Sequence, residues 1–129
     1  MNISDINKYF NAEIPARIFF NKYATEIIEH VKKLDKKGSS SYLFLIDDVG
    51  ERTSVSNREI SKLCNDYINN QINQYELSYL ADVLLLSDKI VFKNEEISDY
   101  LSEMTDEEVN GAFTKSKAKH LISELNDFL

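Results

Sequence analysis

The sequence predicts an all-α protein, a compact bundle of about five to seven helices with short connections. Two observations predict it. Breakers are scarce in a chain of 129 residues, with one Pro and three Gly. Apolar residues recur at helical spacing behind several helix-start signals. Both point to helices joined by short turns, and the length fits a single domain spanning residues 1–129.

The helix starts come in order. Pro15 suits a first helical turn, where its missing N–H costs nothing. Ser56-Asn-Arg-Glu59 and Asn73-Gln-Tyr-Glu76 have the form of capping boxes. Asn94-Glu-Glu puts two acids at the positive end of the following helix. Thr105-Asp-Glu-Glu108 is a further box, and Thr114 can cap the last helix. Inward stripes follow these starts. Phe20, Ile27, Val31 and Leu34 form one, and Ile60, Leu63, Cys64, Tyr67 and Ile68 the next. Leu77, Leu80, Ala81, Leu84 and Leu85 form a third, and Ile97, Tyr100, Leu101 and Met104 a fourth. Leu121, Ile122 and Leu125 close the chain with Phe128 or Leu129. Short runs resist this reading. Tyr42-Leu-Phe-Leu-Ile46 is either a buried strand or a helix, and helix is favoured because a lone strand lacks a partner. Ile90-Val-Phe92 is strand-like and is expected as an extended link that plugs the core.

Composition excludes several functions. A single cysteine, Cys64, rules out an internal disulfide and a cysteine-based zinc site, and suits a reducing compartment. No run approaches the ~20 apolar residues of a membrane helix. The first residues lack the pattern of a signal peptide, so a cytoplasmic protein is expected. The two histidines, His30 and His120, have no nucleophile motif beside them. Asp47-Asp48 superficially resembles a metal-binding pair but has no third ligand at a defined spacing, and no phosphate-binding loop is present. No enzyme activity, metal or cofactor is expected.

Charge is more informative. The net charge is −7. Residues 1–64 carry ten basic and nine acidic side chains, while residues 65–129 carry five and thirteen. Asp82 to Glu108 alone holds nine acids against Lys89 and Lys93. Such a surface repels nucleic-acid backbones and attracts a basic protein. A purely solubilising face is the alternative. Tyrosines beside carboxylates favour recognition, since rings supply area and acids select a basic partner. Tyr75 and Tyr79 fall partly off the Leu77/Leu80/Leu84 stripe and are candidates, whereas Tyr100 belongs to the core stripe. The candidate partner-binding residues are Asp47, Asp48 and Glu51, with Tyr79, Asp82, Glu95, Glu96, Asp99 and Glu103 downstream.

The run Tyr75-Glu-Leu-Ser-Tyr-Leu-Ala-Asp-Val-Leu-Leu-Leu-Ser-Asp88 is followed by Phe92, Glu95-Glu96 and Glu103-Met-Thr-Asp-Glu-Glu-Val-Asn-Gly111. In order and spacing it resembles small bacterial immunity proteins of contact-dependent growth inhibition and related polymorphic toxin systems, over about residues 57–125. The resemblance implies a protein that binds the C-terminal effector domain of a cognate toxin, often a basic nuclease, and blocks it stoichiometrically. It transfers no binding residue. The other class compatible with the residues is a regulatory or scaffolding helical module that binds another basic protein or itself.

Overall fold

The computed structural model describes residues 1–34, 52–105 and 111–126. The chain is mostly helical, with seven helices and two short strands among the described residues: α1 (Ile3–Phe10), α2 (Ala16–Lys22), α3 (Ala24–Leu34), β1 (Thr53–Val55), α4 (Asn57–Ile68), α5 (Gln74–Leu86), β2 (Ile90–Phe92), α6 (Glu96–Thr105) and α7 (Lys115–Asn126). The helical bundle expected from the apolar spacing is the architecture found. The alternatives weighed for Tyr42–Ile46 lie outside the described residues.

Local chemistry sets the helix ends. Asn2 caps α1 by accepting the Asp5 amide at 2.8 Å. The Asn73–Glu76 box forms as expected: Asn73 Oδ1 accepts the Glu76 amide and Glu76 Oε1 accepts the Asn73 amide. At α4 the box is altered. Ser56 Oγ accepts the Arg58 amide, but its own proton goes to Glu59 Oε2 at 2.6 Å. Thr114 Oγ1 accepts the Lys117 amide and caps α7. Thr105 is the last residue of α6, with its hydroxyl on the Ser102 carbonyl, and the remainder of its expected box is outside the described residues.

Two expectations change. The stripe from Phe20 to Leu34 belongs to two helices, because the chain breaks at Tyr23 between α2 and α3. Tyr23 is drawn inward there: its hydroxyl donates to Asp5, which also accepts Lys22 Nζ at 2.6 Å. Ile90–Phe92 is a strand, not a free link. It pairs in parallel with Thr53–Val55, in the register Thr53↔Ile90, Ser54↔Val91, Val55↔Phe92. Thr53-Ser-Val55, with one apolar residue in three, carries no strand pattern of its own. A third side is held by α1, since Thr53 Oγ1 donates to Asn7 Oδ1 at 2.9 Å. Ile90 is buried and does fill the core.

The buried side chains form one cluster. Its N-terminal part is aromatic: Tyr9 stacks on Phe19 at 5.0 Å, and Phe20 meets both rings edge-on. α5 is its axis, buried on nearly every side through Leu77, Tyr79, Leu80, Ala81, Val83 and Leu84. It packs on α6 and α3, while α4 packs on α7. Tyr67 reaches from α4 to donate to the Phe113 carbonyl at 2.9 Å, which locks the entry to α7.

Candidate partner-binding surfaces

The acids of α6 are set by its amphipathic pattern. Ile97, Leu101 and Met104 turn inward, which leaves Glu96, Asp99 and Glu103 outside at i, i+3 and i+7, one face of the helix. Glu95 precedes them and is also exposed. None of the four makes an ion pair among the described residues. α7 borders this face, and a groove of about 490 Å³ lies between the helices, lined by Glu103, Ser116, Lys117, His120, Leu121 and Glu124. Along α7, His120 Nε2 lies 3.0 Å from Glu124 Oε1, one helical turn away. Half-buried Tyr100 sits within electrostatic reach of Glu124, Glu96, Glu103 and Asp99. Burial, and then the charges of Glu124, Glu96, Glu103 and Asp99, push its phenol above the ordinary value. The acids around the ring come mainly from α6; α7 adds Glu124, which faces His120, and also Lys117 on the groove wall. Such a surface can hold a guanidinium or ammonium group by charge and offers a ring face for contact.

The other residues expected at the interface fall elsewhere. Tyr79 is a correction: it is 1% exposed, with its hydroxyl donated to Glu26 and its ring edge-on to His30 at 5.1 Å. It appeared off-stripe because α5 is buried on more than one side, so a single stripe undercounts its core. Burial, then the Glu26 hydrogen bond, raises its phenol strongly. Asp82 is separate from the α6 face. It is half-buried on α5 and faces His30 of α3, Oδ2 to Nε2 at 3.5 Å. His30 is itself buried. Asp47, Asp48 and Glu51 lie outside the described residues.

A second surface escaped the sequence reading, apart from Tyr75. A groove of about 450 Å³ runs between α2, α3 and the start of α5. Ala24, Ile27, Ile28 and Val31 line its α3 bank, and Tyr75 stands opposite. Ile28 is 53% and Tyr75 61% exposed. Its floor is tied by Arg17, which donates from both terminal nitrogens to the Glu76 carboxylate at 2.8 and 2.7 Å. Ile28 was the available signal: it is a large apolar residue directly beside the Ile27/Val31 stripe.

Cys64 is buried, and burial, then the Glu103 charge, pushes its thiol up to about 12. It acts as a small core hydrophobe, not a nucleophile. No helix among the described residues is long and apolar enough to cross a membrane. No family model, no curated protein and no solved structure matches the chain.

Proposed function

We propose that this chain is an immunity protein, cytoplasmic in location, which binds the effector domain of a cognate toxin and neutralises it by stoichiometric contact. The observation that carries the reading is the exposed row Glu96, Asp99 and Glu103, joined by Glu95 and left without ion pairs among the described residues. Such a row steers a basic protein and competes with a nucleic acid for the same cationic surface. A nuclease fits that description, because its substrate surface is basic. The resemblance in order and spacing over residues 57–125 supports the same reading. No catalytic role is assigned to any residue.

The test is co-expression with the effector domain encoded beside this chain. Cells carrying both should survive where cells carrying the effector alone die. Equal killing in the two cultures would remove the proposal. A regulatory module that binds a different basic protein is the second reading, and the same acidic row favours it. Affinity purification from the native host separates them: a toxin effector domain in the eluate supports the first reading, and a different basic protein supports the second.

A further inference from the structure

We draw no further inference here: the strongest candidate, the apolar groove between α2, α3 and the start of α5 with Ile28 and Tyr75 on its banks, carries nothing because nothing in the structure shows what covers it.

Discussion

Two helix ends in this chain use the same backbone device with different residues. After α1, Ala12 takes φ 59°, its amide donates to the Tyr9 carbonyl, and Glu13 N–H reaches back to Lys8 at 2.8 Å. After α4, Asn70 takes φ 62°, with Asn70 N–H on Tyr67 and Gln71 N–H on Asp66 at 2.8 Å. Both are Schellman closures, which want Gly and tolerate Asn. Ala12 is the strained one, because its Cβ crowds the backbone in the left-handed region. Ala12→Gly should therefore stabilise the protein by about 0.5–1 kcal/mol, even though Gly raises the entropy of the unfolded chain. Urea unfolding midpoints check it, and a loss of stability would show that the strain is relieved in some other way. The left-handed turn is not legible from the sequence, since Ala carries no turn signal.

At the level of the single helix, the acids of α6 bear on helix stability as well as on the proposed recognition of a basic partner. Glu95, Glu96 and Asp99 sit at its N-terminal end, where negative charge is favoured by the helix dipole. Glu103 lies near the opposite end and gains nothing from that dipole. Reversing the four acids to Lys therefore has separable effects. Changes at Glu95, Glu96 and Asp99 should lower stability, by about 0.3–1 kcal/mol per site, and slow association with a basic partner. Glu103→Lys should slow association with little loss of stability. Stopped-flow association at two salt concentrations, with thermal melts alongside, tests both. If the association rate and its salt dependence are unchanged in Glu103→Lys, this part of the row serves solubility alone. The spacing of these acids was readable from the sequence, because Ile97, Leu101 and Met104 define the opposite face. The fate of Tyr79 was not. Its burial depends on α3 arriving beside α5 and offering Glu26 and His30, which no local pattern in α5 announces.

For the molecule as a whole, several buried ionisable groups couple folding to pH. Burial works against the charge of Asp5, but hydrogen bonds from Lys22 and Tyr23 outweigh it and hold the carboxyl below its ordinary 3.8. The native carboxylate thus resists protonation that the unfolded chain accepts. Its contribution is present above 3.8 and is lost as the pH falls below that value. At the other limb Tyr9, Tyr23 and Tyr79 are raised above their ordinary 10.0, by burial first and then by acidic partners. Their contribution is present below 10.0 and is lost as rising pH ionises the unfolded phenols. Stability should form a plateau between these limits. Asp5→Asn should lower the plateau and flatten the acid slope. An acid limb identical to wild type would mean that Asp5 is not among the groups that control it. Side-chain bonds also join α1 to the rest of the fold: Asp5 to Lys22 and Tyr23, Tyr9 to Asp66 at 2.6 Å, and Asn7 to Thr53.

The helical class, the inward stripes of α4 to α7, the caps at Asn73 and Thr114, and the outward acids of α6 are written in the order of the residues. Each of these depends on residues within a turn or two of one another, where spacing alone fixes what shares a face. The break at Tyr23, the pairing of Thr53–Val55 with Ile90–Phe92, the burial of Tyr79 and His30, and the groove between Ile28 and Tyr75 emerge from the packed fold alone. These depend on partners more than thirty residues away or on competition between helices for one core, and such terms have no local period to read.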